Sequence, residues 1–212
     1  MTGTDSSEVL VRRAGREEAA VVGEIFADAF SADPVGSWIS ADPEYPKWCW
    51  SLVVPFVLSH NEAYVAGNGL GAAMWVPPGA ELDIKLGLAG LCDYWRRFGL
   101  RSILRFFRLV TALEKHHPKY PHYYLFAVGV RPEAKGRGIG SALLKPVLQQ
   151  CDQRKVGAYV ENSNPVNLPF YERHGFEVRS EVTLPHNGPT LWLMYREPNS
   201  KPICAVGDRL GS

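Results

Sequence analysis

A chain of 212 residues is long enough to bury a large core in one domain, and 46% hydrophobic with 21% charged residues is the balance of an ordinary soluble globular protein. With 23 Lys and Arg against 22 Asp and Glu, the net charge of +1 gives no global pull toward nucleic acid or an anionic membrane, so any ligand has to be argued from a local site. Cys49, Cys92, Cys151 and Cys204 form no CxxC pair, which argues against a metal centre or disulfide framework and fits free thiols in a reducing compartment.

The start of the chain, MTGTDSSEVLVRRAG, is polar, and nowhere do about 20 apolar residues run together. A cytoplasmic protein is the expectation, with no metal, membrane or nucleic-acid partner. EVLVRRA (8–14) reads as a first strand, and Arg16 to Phe30 as an amphipathic helix with acids in its first turn. Pro43 to His60 reads as a second helix that Pro55 should kink or divide. EAYVAGNGLGAAMWVPP follows as two strands joined through Gly67, Asn68 and Gly69, the second ended by Pro77 and Pro78.

From Glu81 to about His116 the pattern turns helical, with Leu100, Ile103, Leu104, Phe107 and Val110 on one face and Arg101, Arg105 and Arg108 on another. Those arginines read as a solvated face or as groups lining an anion or substrate cleft. HYYLFAVGV (122–130) is an aromatic and β-branched strand; a glycine loop and a helix from about Gly138 to Gln153 come next. KVGAYVEN gives another strand, LPFYERHG a short helix stopped at Gly175, and FEVRSEVTL with PTLWLMYRE a final strand pair. Residues 198–212 read as a loose tail.

Between the central strand and its helix lies VGVRPEAKGRGIGSALL, with glycines at 136, 138 and 140. A helix that begins here turns its unpaired first amides into the space past the strand, where its dipole favours phosphate. Glycine leaves that backbone open to a bulky ligand, and Lys135 and Arg137 add positive charge. A P-loop needs GxxxxGK followed by Ser or Thr, which is absent. A dinucleotide fingerprint from Gly136 meets Ser141 at its sixth position and Lys155 where an acid is expected. The pattern that remains is a basic residue, two spacers, Gly, one spacer and Gly: Lys135, Gly138, Gly140.

This loop resembles that of the GNAT superfamily of acyl-CoA-dependent N-acyltransferases, whose (Gln/Arg)xxGx(Gly/Ala) motif holds the pyrophosphate of acetyl-CoA; Lys135 keeps the charge where Gln or Arg is usual. ENSNPVNLPFYERHGFEV (161–178) resembles the later Asn and Tyr block of the same family. Within it the likeness is greatest to the puromycin N-acetyltransferase group, dense from about His116 to Arg196 and carried earlier by FADAFSADPV and GAAMWVPPG.

The resemblance implies an α/β GNAT fold: a mixed, mostly antiparallel sheet of about seven strands flanked by helices. One acetyltransferase domain would span 1–197, with 81–117 as a helical substrate-side segment and 198–212 as a tail. Backbone of Val128, Gly129 and Val130 would pair with the pantetheine arm where two strands splay, one amide there serving as oxyanion donor. Amides from Gly136 through Arg137, Gly138, Ile139 and Gly140 to Ser141 would hold the pyrophosphate. Asn164, Asn167 and Phe170 would meet the cofactor arm, although either asparagine can instead cap the helix that Pro165 starts.

Tyr171 would be the general acid for the departing thiolate, and Glu161 the first choice of base, with His116, His117, His122 or ordered water as alternatives. The expected reaction is direct acetyl transfer from acetyl-CoA to a primary amine of a small molecule, without a metal or a covalent enzyme, by a monomer or homodimer. A protein lysine or N-terminal acetyltransferase and a non-catalytic acyl-CoA sensor are the other readings. Trp38, Trp48, Trp50, Trp75, Tyr94 and Trp95 read mostly as core, or as the lining of a pocket for an aromatic amine.

Overall fold

Seven strands lie in one sheet in the order β1-β2-β3-β4-β5-β7-β6. A computed structural model describes residues 9–60, 62–80, 82, 84 and 86–199. In chain order these form β1 (Val11–Arg13), α1 (Ala19–Ala29), α2 (Pro34–Ile39), α3 (Tyr45–Leu58), β2 (Ala63–Ala66), β3 (Gly71–Val76), α4 (Leu88–His116), β4 (His122–Val130), α5 (Ile139–Arg154), β5 (Gly157–Asn162), α6 (Leu168–Glu172), β6 (Glu177–Thr183) and β7 (Thr190–Arg196). Every neighbouring pair is antiparallel except β4 and β5, which run parallel.

Both faces of the sheet are covered, and the apolar spacing of each helix decides where it goes. Leu143, Leu144, Val147 and Cys151 of α5 recur at three- and four-residue steps and pack with Trp75, Tyr123 and Leu125 on one face. On the other, Val22, Ile25 and Phe26 of α1 meet Val54 and Val57 of α3 over Val65, Met74 and Ala127. Beside them, α2 and α4 cover β5 and β7 through Trp38, Tyr94, Tyr159, Leu191 and Leu193.

One irregularity in β4 governs the site. Leu125 lies opposite Trp75 but Ala127 lies opposite Met74, so Phe126 is an extra residue in the ladder. The alternation inverts there: Tyr123 and Leu125 face α5, Ala127 faces α1 and α3, and Val128 and Val130 return to the α5 side. Parallel pairing with β5 runs from His122↔Gly157 to Leu125↔Val160 and ends. Beyond it the two central strands diverge.

Four expectations are corrected. The described helix begins at Leu88; Glu81 lies outside the described residues, and Leu82, Ile84 and Leu86, none of them helical, pack on the core ahead of it. The helix is broken at Gly99, whose φ of 77° is left-handed. Past the break, Leu100, Leu104 and Phe107 are exposed, while Ile103, Phe106, Leu109 and Leu113 pack over β5 and β7. Tertiary contact has selected a stripe rotated from the one that spacing favoured. Arg105 leaves the solvated face to lie over the Trp38 ring, 5.3 Å from its centre, and to donate to the Trp38 carbonyl. Finally, α3 runs unbroken through Pro55, held by burial of Val53, Val54, Val57 and Leu58. The tail from residue 200 lies outside the described residues.

Candidate active site

At the divergence of β4 from β5 a cleft of about 670 Å³ opens, walled by the end of α1, the loop before α5, and α6. Its β4 wall offers backbone. The amide of Arg131 donates to Leu70 on the β3 side at 2.9 Å, so strand alternation turns the amides of Val128 and Val130 to the opposite edge, where β5 has left. Gly129 faces the other way, pressed on α1; a Cβ there would stand 2.7 Å from that of Ala29.

The glycine loop supplies the second wall. Gly136 and Gly138 have φ of 79° and 75°, left-handed conformations that carry the chain into α5 and leave no cap on its first amides. Among the described residues, none beyond the chain neighbours lies within 4 Å of where a Cβ would stand at either position. Consecutive amides therefore meet open space at a helix N-terminus, with Lys135 beside them, a setting that suits a phosphate or pyrophosphate. Gly140 differs: a Cβ would meet the Phe170 ring at 3.1 Å, so its bareness lets α5 and α6 approach.

The third wall is α6 with the turn before it. Asn164 accepts from the amide of Val166 at 3.1 Å and so caps the turn Pro165–Asn167, while Asn162 holds both backbone groups of Asn164. Asn167 lines the cleft with its side-chain amide uncommitted to any described residue. Tyr171 is 7% exposed, wedged against Phe170 and Phe176, with no hydrogen bond from its hydroxyl to a described residue. Burial, and then the charge of Asp33, push its pKa well above the ordinary tyrosine value, so the hydroxyl stays protonated across the neutral range.

The structure thus gathers Val128, Gly129, Val130, Lys135, Gly136, Gly138, Ile139, Gly140, Ser141, Asn164, Asn167, Phe170 and Tyr171 around one cleft. Arg137 is not in its wall; its guanidinium turns back to the Glu133 carbonyl at 3.0 Å. Glu161 is not in it either. It is the first β5 residue past the last β4 pair, and its carboxylate lies among aromatic rings, accepting from Tyr124 at 2.7 Å. Sequence reasoning passed over Phe30, Asp33 and Arg173, which also line the cleft. Asp33 carried a signal in the Asp-Pro step, a cap followed by Pro at N1; it accepts from Val35 and Gly36 to start α2, and from the Ser163 hydroxyl past β5. Arg173, over the Phe170 ring at 5.1 Å, had no distinguishing signal within YERHGF.

A glycine-loop helix facing the gap between diverging parallel strands suits a ligand that carries phosphate and amide groups, and the family comparison accords with it. The model of the acetyltransferase (GNAT) family matches residues 24–176, and the chain belongs to that family of N-acetyltransferases. An uncharacterized N-acetyltransferase of Schizosaccharomyces pombe is 26% identical over 191 residues, 82% of this chain and 77% of that one. Among solved structures, a histone acetyltransferase HPA2 and related acetyltransferase from Corynebacterium glutamicum superposes with TM-score 0.65 at 20% identity, covering 92% of this chain and 98% of that one. A polyamine N-acetyltransferase of Drosophila melanogaster that forms N-acetylagmatine superposes with TM-score 0.56 at 16% identity, covering 90% and 100%. Family members use acetyl-CoA as cosubstrate, and the cleft fits it: a strand edge for an amide-bearing arm, and a cradle of amides for its phosphates.

One comparison separates backbone from side-chain binding in the loop. Forcing a Cβ into the left-handed conformation at Gly138 costs roughly 1–2 kcal/mol. Gly138→Ala is therefore expected to weaken acetyl-CoA binding by about tenfold in calorimetry, whereas Lys135→Ala or Arg137→Ala, each losing one exposed charge, weakens it by roughly threefold or less. The reverse order would place the binding energy in the basic side chains.

Proposed function

We propose that this N-acetyltransferase moves the acetyl group of acetyl-CoA directly to the primary amine of a small molecule. The observation that carries the reading is the pairing of a free β4 edge with a protonated, buried Tyr171 across one cleft. The amide of Val128 or Val130 stabilises the oxyanion as the amine nitrogen attacks the thioester carbon. Tyr171 meets the departing sulfur with its hydroxyl. An ammonium with a pKa of about 10 is only about one part in a thousand neutral at pH 7, so a base is needed. Because the Glu161 carboxylate lies outside the cleft wall, the proton leaves through intervening water, with Glu161 at the point of divergence as its acceptor.

A small acceptor is favoured over a peptide because α4 packs on the β5 and β7 side of the sheet through Phe98, Ile103, Phe106, Leu109 and Leu113, where a peptide groove would have to lie. The likeness of the loop and of YERHGF to the puromycin N-acetyltransferase group supports the same class, and the Drosophila structure is of an enzyme for a small amine. The test is release of free CoA, followed with a thiol reagent, across puromycin, polyamines, arylalkylamines, amino acids and a lysine peptide. Turnover of one small-amine class is expected. Turnover of the peptide alone would move the function to protein acetylation, and tight acetyl-CoA binding with no turnover would make the chain a sensor.

A further inference from the structure

Past the break at Gly99, α4 is apolar in two directions. Ile103, Phe106, Leu109 and Leu113 pack over β5 and β7. Leu100, Leu104 and Phe107, spaced by four and three residues, form a second stripe that stands in solvent at 59%, 46% and 50% exposure. Before the break, Leu88 and Trp95 are exposed as well, so this one helix carries five of the ten large apolar side chains exposed among the described residues. Single exposed apolar residues scattered over a surface are ordinary; five on one helix are a concentrated surface.

Positive charge runs beside the second stripe. The helix holds six Lys and Arg against two acids, Asp93 and Glu114, in a chain whose net charge is +1. Arg101 and Arg108 each follow a stripe residue, and Lys115 comes seven positions after Arg108, so three exposed cations line one flank at seven-residue spacing. Among the described residues neither Arg101 nor Arg108 pairs with a carboxylate, whereas Arg97 is answered by Asp93 at 2.9 Å. Burial, and then the charges of Arg101 and Arg108, lower the pKa of Arg105 between them. The flank is a positive field without a local counter-charge.

We propose that this outer face of α4 rests on an anionic lipid surface, with Leu100, Leu104 and Phe107 inserted at the headgroup boundary and Arg101, Arg108 and Lys115 against the headgroups. The charges select the occupant. A second copy of the chain would bring the same three cations to the contact with only Glu114 to meet them. A nucleic acid would answer the cations and leave the apolar stripe in water. A lipid surface answers both, and being fluid it takes the ridge of a helix without a matching pocket. The contact is peripheral, since no helix among the described residues is long and apolar enough to cross a membrane. It leaves the glycine loop free, because α5 packs on the opposite face of the sheet. A net charge of +1 conceals this local excess, which is why composition suggests no membrane partner.

The test needs no turnover and so stands apart from the transfer reading. The full chain is sedimented with vesicles of phosphatidylcholine alone and of equal parts phosphatidylcholine and phosphatidylserine, at low and high salt. Binding is expected only with phosphatidylserine and should weaken as salt rises. Arg101→Gln with Arg108→Gln should lower that affinity by about twentyfold, near fivefold for each cation removed. Leu104→Gln with Phe107→Gln should lower it by about tenfold or more. All four side chains are at the surface, and an unchanged Tm and acetyl-CoA affinity would show that both variants are folded. No binding to either vesicle, equal binding to both, or binding that survives either double substitution would overturn the proposal. Arginine-dependent binding of double-stranded DNA in place of vesicles would also overturn it and assign the face to nucleic acid. Self-association without vesicle binding, lost in Leu104→Gln with Phe107→Gln, would overturn it in favour of a second copy.

Discussion

Tyr171→Phe is expected to lower kcat by about a hundredfold or more while leaving acetyl-CoA affinity nearly unchanged. The ring is held by Phe170 and Phe176, and phenylalanine keeps that packing, so the change removes a single oxygen. Because that hydroxyl makes no hydrogen bond to a described residue, no structural contact is lost with it. Its raised pKa has a definite sign: burial and the neighbouring Asp33 disfavour the phenolate, so the proton is present throughout the neutral and mildly alkaline range. Loss of activity between pH 8 and about 10 therefore should not follow from ionisation of Tyr171. Steady-state rates with the best amine of the panel, with calorimetric titration of acetyl-CoA, decide the matter. A drop of under about threefold would remove Tyr171 from the chemistry and leave it a packing residue.

The second large effect is on the frame that holds both binding walls. Arg196, at the end of β7 and with a side chain 6% exposed, donates twice to Asp152 of α5 at 2.9 Å and once to the carbonyl of His174, just past α6, at 3.0 Å. One guanidinium thus ties the helix of the glycine loop to the helix of Tyr171. Asp152→Asn leaves a buried cation without its counter-charge and is expected to destabilise the fold by about 3 kcal/mol or more. For a chain of this size that is a fall in Tm of roughly 6–12 °C.

The pH dependence follows from the Asp152 shift. Burial alone would raise its pKa, but the Arg196 hydrogen bonds, the Asn199 amide and the Arg196 charge outweigh it, and the net change is downward. A depressed folded pKa means a contribution that is whole above the ordinary aspartate range near 4 and lost as pH falls through the lower folded value. The wild type should lose this increment on acidification, and Asp152→Asn should lack that part of the slope. Melting curves from pH 7 to 3 test both statements, and coincident curves would refute them.

What the chain declares about itself depends on how local the physics is. The glycines at 136 and 138 announce a turn into a helix because no other residue adopts that backbone cheaply, and the Asn and Tyr block follows a strand that alternation makes plain. The insertion at Phe126 is silent, since LFAVGV is apolar on both sides of it and carries no polar residue to mark the change of phase. Glu161 could be placed at a strand end, but which face its carboxylate takes depends on how β5 sits beside β4. The stripe of α4 was legible in period and not in rotation, because Gly99 resets the phase and the contact with β5 and β7 is set by residues far along the chain. Asp33, Ser163 and Tyr171 come from three segments that only the folded sheet brings together.

The extra residue in β4 also bears on how safely this protein can leave a strand unpaired. An open strand edge at the rim of a sheet invites pairing with another chain. Here the free edge lies in the middle of the sheet, between β4 and β5, with α5 and α6 closing its sides. The edge of another sheet has no room to dock there, whereas a single slender chain with amide groups can thread the cleft. A single inserted residue gives the fold a strand-pairing site screened from its own kind.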